Sequence, residues 1–268
     1  MKNRSMIICE GESDQIILSY YFEKQFGYRF DRKKGELPNI LNENPKAEFV
    51  RLYRRSEDGH EIVIWAIGGH SLFDDALNAV LEINQSSFDI CYSGIVVITD
   101  NDTLQETEKL WTKLNERLKR FGMEALFSAS QWGKGTQKVA MTDNPLPIKA
   151  LGLALPPDED GALETFLLKA LAEQGNNGYL AEKSKAFVSE LVAHPEKIKP
   201  YLSKRGLRVK APLAVFLAIA SPGRVFEELN PMLESVSWEK YKTIQEGFRL
   251  LDEEFLYKAR AESGKTGI

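Results

Sequence analysis

The chain has 268 residues, 43% hydrophobic and 28% charged, with a formal net charge of -4. That composition is ordinary for a soluble globular protein and excludes a generally basic nucleic-acid coat, though not a local basic groove. Two cysteines, Cys9 and Cys91, make neither a disulfide framework nor a zinc site unaided. A reducing cytoplasm is the expected setting. No apolar segment approaches a membrane span, and the N-terminus runs into a short strand without the apolar core of a signal peptide.

In chain order, Met6 to Cys9 reads as a short buried strand, followed at once by Glu10-Gly11-Glu12-Ser13-Asp14. Ile16, Ile17, Tyr20, Tyr21 and Lys24 then carry a helical pattern, with Ser13 the expected N-cap. Glu10 falls at the strand end and Asp14 in the first helical turn. Acids also gather at helix starts because of the dipole, which is the plainer explanation of this cluster.

Residues 28–47 are polar and broken by Pro38 and Pro45, which predicts a surface excursion. Phe49 to Arg55 and Glu61 to Ile67 predict two strands joined by Glu57-Asp58-Gly59-His60 as a β-hairpin. Arg51, Arg54 and Arg55 on the first arm are expected on a solvated face that blunts a sheet edge. Gly68-Gly69-His70 ends the second strand, and a helix follows from Leu72 to Ile83. His70 suits a polar loop residue better than a catalyst.

Ile95-Val96-Val97-Ile98-Thr99-Asp100-Asn101-Asp102 is the stretch around which the rest is arranged. Its apolar part suits a strand buried on both faces of a parallel sheet. The aspartates then fall where such a strand ends, which is where ligands bind in open α/β sheets. Two carboxylates one residue apart can both reach a divalent cation. Asp102 could equally cap the helix from Thr103 to Phe121.

Leu126 to Ser128 is a candidate strand. Gly133-Lys134-Gly135-Thr136 lacks the spacing of a phosphate loop and predicts a flexible loop. Ile148 to Leu155 predicts a last strand. A second acidic cluster follows, Asp158, Glu159 and Asp160, with Glu164 leading into a helix to Ala172. Gly175-Asn176-Asn177-Gly178 marks a break. Beyond it the pattern is helical over 179–193, 195–203, 211–220, 223–234 and 238–260. Lys204-Arg205-Gly206-Leu207-Arg208-Val209-Lys210 is the densest basic run. It reads as a solvated loop or as a phosphate-facing patch. The last residues, from Ser263, look frayed.

Glu10-Gly11-x-x-Asp14 after one strand, Gly68-Gly69 after the next and Asp100-x-Asp102 after the third resemble a TOPRIM (topoisomerase-primase) domain. The resemblance covers roughly residues 5–170. It implies an α/β fold with a Rossmann-like TOPRIM core and a mostly parallel central sheet. That core would occupy residues 1–174, with a β-hairpin insertion around 48–67, and a helical C-terminal region would occupy 175–268. It implies that Glu10, Asp100 and Asp102 hold Mg²⁺ or Mn²⁺ and act on a phosphodiester of DNA or RNA. Asp14 matches an acidic position of the nuclease-type members.

The chain resembles the OLD-family nucleases further. By that resemblance Asp158, Asp160 and Glu164 would supply a second metal site, and Lys210, or Lys204 in its place, a lysine near the reaction centre. Arg205 and Arg208 join these lysines as expected nucleic-acid contacts. The chain lacks the ATPase domain many of those nucleases carry. It looks like a small standalone protein, with an ATPase encoded alongside as an expected partner and a homodimer as one open oligomeric state. Phage defence or DNA repair is the setting the resemblance suggests. Topoisomerase or primase action fits poorly, given the chain's size and its lack of a zinc-ribbon cysteine set.

Two rivals stay open. Ile95 to Leu104 also resembles the start of a haloacid-dehalogenase phosphatase, with Asp100 as nucleophile and Asp102 as acid/base. The other is a non-catalytic TOPRIM fold kept as a binding or regulatory partner.

Overall fold

The computed structural model describes residues 2–31, 49–86, 89–128, 131–139, 144–222 and 237–263, and side chains within these except at 2–3, 252–254 and 256–263. It is an α/β fold with a seven-stranded sheet in the order β2-β3-β4-β1-β5-β7-β6. The strands are β1 (Lys2–Cys9), β2 (Tyr28–Asp31), β3 (Val50–Arg55), β4 (Glu61–Ala66), β5 (Ile90–Asp100), β6 (Gly133–Gln137) and β7 (Leu146–Leu155). The helices are α1 (Glu12–Phe26), α2 (Phe73–Ser86), α3 (Leu104–Arg120), α4 (Leu163–Ala172), α5 (Asn177–Val192), α6 (Pro195–Ile198), α7 (Arg205–Ala220) and α8 (Lys242–Ser263).

The centre of the sheet is parallel. β1 lies between β4 and β5 and runs with both, Cys9 standing opposite Ala66 and Ile98. The parallel centre is what the buried apolar runs lead one to expect, and the α/β core is Rossmann-like. The flanks are antiparallel: β2 with β3, β3 with β4, and β6 with β7. The β3–β4 pair is the expected hairpin.

The chain forms two compact units, one of Met1–Thr99, Thr103–Ala154 and Leu250–Ile268, the other of Asp100–Asp102 and Leu155–Arg249. In the first, Met6, Ile8, Val63, Trp65, Ile95 and Val97 meet Leu77 and Leu81 of α2 and Leu110, Trp111 and Leu114 of α3 in one core. α1 packs on β4 and β2. In the second, α7 packs on α4 and α5. Gly247 lets α8 approach α4 so closely that a Cβ there would lie 2.4 Å from the Phe166 ring.

Several details differ from the sequence reading. The segment after Gly27 is not wholly an excursion, since Tyr28–Asp31 forms the edge strand β2. Residues 32–48 lie outside the described set. Because β2 covers β3, the hairpin arginines do not blunt an edge. Arg55 is buried, with only 2% of its side chain exposed, and pairs with Asp58. Gly133 to Gln137 is a strand rather than a loop. Its glycines let it pass Leu126, whose carbonyl would stand 2.1 Å from a Cβ at Gly133. Leu126 to Ser128 forms no strand. Its backbone is held instead by Asn115, whose side chain accepts from Leu126 and Phe127 N–H at 2.9 and 2.8 Å.

The basic run is not a loop. α7 starts at Arg205 and carries Pro212 inside it. An exposed polar helical turn has no apolar period to announce it. The expected helix over 223–234 lies outside the described residues. Among the described residues, no helix is long and apolar enough to cross a membrane.

Candidate functional site

β1 delivers Glu10 to the carboxyl edge of the sheet. The Glu10 carbonyl accepts from Gly68 and Gly69 N–H at 2.8 and 3.0 Å. These glycines have φ of 80° and 139°, a region open to glycine and strained for other residues. The two strand ends are thereby tied together, which accounts for the Gly68-Gly69 pair. His70 follows, exposed, with Nδ1 3.3 Å from Thr99 Oγ1.

Asp14 is buried, and its Oδ2 accepts from Gly11 N–H at 2.7 Å. Gly11, not Ser13, is the N-cap of α1. Asp14 therefore reaches back to the chain entering the helix and satisfies a donor there. Burial pushes the Cys9 thiol well up, and the charges of Asp14 and Glu10 add to that. The end of β1 is thus an electronegative place.

In the second unit the residues after β5 are stitched to the loop after β7. Asp100 Oδ1 accepts from Leu163 N–H at 3.1 Å, the first helical residue of α4. A carboxylate suits that position, because the opening N–H groups of a helix have no intrahelical partner. Asn101 Nδ2 donates to the carbonyls of Pro156 and Glu159 at 2.9 and 3.2 Å. Its backbone N–H donates to Leu155 and its carbonyl accepts from Gly161. Asn101, between the paired aspartates and outside the expected site set, latches the acidic loop.

The acidic residues here meet the chain's own cations. Asp102 forms an ion pair with Arg205, whose Nη2 also donates to the Asp102 carbonyl at 2.8 Å. Thr103, rather than Asp102, caps α3, accepting from Glu106 N–H at 3.2 Å. Asp158 lies 2.5 Å and Glu159 3.6 Å from Lys169 Nζ. The Lys169 ammonium holds the Asp158 carboxyl below its usual value. Lys169 was not among the expected residues, and only its place on the exposed side of α4 could have signalled it. Asp160 is exposed on the same turn.

Glu164 differs from these. It is 6% exposed, its Oε1 lies 2.6 Å from Lys210 Nζ, and its Oε2 is buried without a hydrogen-bond partner. Lys204 is the exposed N-cap residue of α7, and Arg208 Nε donates to the Leu202 carbonyl at 2.8 Å.

The donor chemistry suits a hard cation, which takes carboxylate and carbonyl oxygens. The arrangement is another matter. Among the described residues, no group of three or more His, Cys, Asp or Glu side chains is placed to hold a metal ion. Asp14 and Asp100 accept backbone N–H groups instead, and Asp102, Asp158 and Glu164 pair with basic side chains.

No curated protein matches the chain. Among solved structures, the crystal structure of hypothetical protein PH0156 from Pyrococcus horikoshii OT3 is similar at 17% identity and a TM-score of 0.44, covering 87% of this chain and 98% of that one. Residues 4–243 match the family described as "Protein of unknown function (DUF3226)", and the chain belongs to that family.

Proposed function

We infer that the protein is a metal-dependent phosphodiesterase of the TOPRIM type, acting on DNA or RNA. The observation that supports this most is the sheet register. β1 and β5 are parallel neighbours with Cys9 opposite Ile98, so the strand leading to Glu10 and the strand ending at Asp100 finish along the same sheet edge. Carboxylates at the ends of adjacent central strands stand where α/β sheets bind ligands.

Asp100 and Asp102, one residue apart, would hold Mg²⁺ or Mn²⁺. Such an ion supplies Lewis acidity and an activated water at a phosphodiester. The chain's own share is to offset the charge of a polyanion. Lys204, Arg205, Arg208 and Lys210 sit on or beside the first turns of α7 and provide that countercharge. A cytoplasmic setting belongs to the same proposal, since Cys9 and Cys91 are buried thiols rather than disulfide partners.

The test is cleavage of labelled single- and double-stranded DNA and RNA in Mg²⁺, Mn²⁺ or EDTA. Metal-dependent cleavage by the wild type and none by Asp100→Ala is the expected result. Equal cleavage by that variant would place the activity elsewhere.

A second reading is favoured by the ion pairs. Asp102, Asp158 and Glu164 are each neutralised within the chain. That suits a non-catalytic TOPRIM-like binding partner, for instance of an ATPase. Absence of cleavage under every metal condition would favour it.

A further inference from the structure

The second unit holds a cavity of about 410 Å³ where α4 and α7 end and α5 begins. Leu163, which bonds to Asp100, and Leu171, which lines the cavity, lie toward opposite ends of α4. They are about 12 Å apart along the helix, so the cavity is separate from the carboxylates. α7 packs on both α4 and α5, and the cavity takes an apolar wall of Leu171, Phe216, Leu217 and Ala220 from these helices. The connection from α4 to α5 adds a polar rim of Gln174, Asn176 and Asn177. We propose that this cavity binds a neutral purine or pyrimidine base, with its flat face on the apolar wall and its hydrogen-bonding edge on the amides. The proposal does not rest on the metal-dependent reading above.

Three observations carry it. First, among the described residues no charged side chain lines the cavity. Glu173, beside it in sequence, is engaged elsewhere, its carboxylate accepting from Lys242 and Thr243 N–H at 2.6 and 2.8 Å. Moving a charged ligand out of water without a counter-charge is costly, so the cavity selects an uncharged one. Second, the rim carries oriented hydrogen-bonding groups. Tyr241 is buried and donates its hydroxyl to Gln174 Oε1 at 2.8 Å. That bond fixes the amide and leaves Nε2 as a donor with no partner among the described residues. Asn176 holds the N-cap position of α5 but makes no side-chain cap hydrogen bond. A side-chain amide offers a donor and an acceptor side by side, the pattern that pairs with the edge of a base. Third, the helices line the cavity with apolar groups. A sugar carries hydroxyls around its whole ring and would leave several unpaired against Phe216, Leu217 and Ala220. A base keeps its polar atoms on the edge and lays apolar faces against such a wall. The volume falls within the range of about 300–1,000 Å³ found for small-molecule sites.

The experiment titrates adenosine, guanosine, cytidine and uridine, with ribose as control, into the full chain by isothermal calorimetry in metal-free buffer. It compares wild type, Gln174→Glu and Ala220→Trp, with the fold of each checked by circular dichroism. Both positions are exposed at the cavity, which keeps the substitutions out of the core. Gln174→Glu keeps the side-chain size and an oxygen for Tyr241 but exchanges the Nε2 donor for an acceptor. Ala220→Trp fills the cavity from its wall. The expected result is that at least one nucleoside binds the wild type and ribose does not. That nucleoside should bind Gln174→Glu about tenfold more weakly, the worth of one hydrogen bond, and should not bind Ala220→Trp. No binding of any nucleoside to the wild type at millimolar concentration overturns the proposal. So does equal binding of ribose, or binding retained in full by either variant. Nucleosides contain no phosphodiester, so each of these outcomes leaves the cleavage reading to its own test.

Discussion

Arg55 pairs with Asp58 at the turn between β3 and β4, and Arg205 pairs with Asp102 at the start of α7. The chemistry is the same, and the surroundings are opposite. Only 2% of the Arg55 side chain is exposed. Its guanidinium also donates to the Phe255 carbonyl at 3.1 Å and lies 5.0 Å from the centre of the Tyr28 ring. Every face of it is used, and its partner lies three residues away in the same turn. The Arg205 side chain is half exposed and reaches a partner 103 residues distant. The first pair is a fixture of the fold. The second can be broken without disturbing a core, which is what a ligand-responsive contact requires.

The largest effect that would break this contrast is on stability. Arg55→Ala should cost about 3 kcal/mol, because it strands Asp58 and the Phe255 carbonyl and opens a buried space. Urea unfolding would show a lower midpoint at unchanged slope. A loss comparable to that of a surface pair would mean that burial confers nothing on Arg55.

The next effect is in pH. The Arg55 guanidinium holds the Asp58 carboxyl at about 2, below the usual 3.8. A carboxyl depressed in the folded state contributes stability above its unfolded value and loses it as pH falls through the folded one. Stability should therefore decline by about 2 kcal/mol between about pH 4 and pH 2 on this account. Asp58→Asn should flatten that part of the pH–stability curve, and an unchanged curve would assign the acid sensitivity to other carboxyls.

The smallest effect sharpens the other side. Arg205→Gln should change unfolding free energy by less than about 1 kcal/mol. Even that should vanish in molar salt, where the screening length is about 3 Å. A loss near that of Arg55→Ala would show Arg205 to be structural.

This contrast also explains what could be read in the sequence. The strands β1, β4, β5 and β7 announce themselves as apolar runs because they lie at or beside the sheet centre, where both faces are covered. β2 and β6 do not, since Tyr-Arg-Phe-Asp and Gly-Lys-Gly-Thr-Gln belong to the sheet edges. In β6 the glycines are required by the backbone at Leu126, a neighbour that no local pattern reveals. The same limit applies to the acidic residues. That Asp100 and Asp102 follow a buried strand was legible. That Asp102 meets Arg205, Glu164 meets Lys210, and Asp14 bonds to Gly11 N–H was not, because pairing depends on folded geometry and residue type alone does not specify it.

Pro212 carries one more consequence. It sits within α7 and has no N–H to give to the carbonyl of Arg208. The turns bearing Arg205 and Lys210 are joined to the remainder of the helix by one hydrogen bond fewer than elsewhere. Beyond the proline, Leu213 and Phe216 are buried and anchor the helix. The proline thus divides α7 into a fixed half and a detachable one. Bending at that seam would move the Arg205 and Lys210 side chains together while the buried half stays docked.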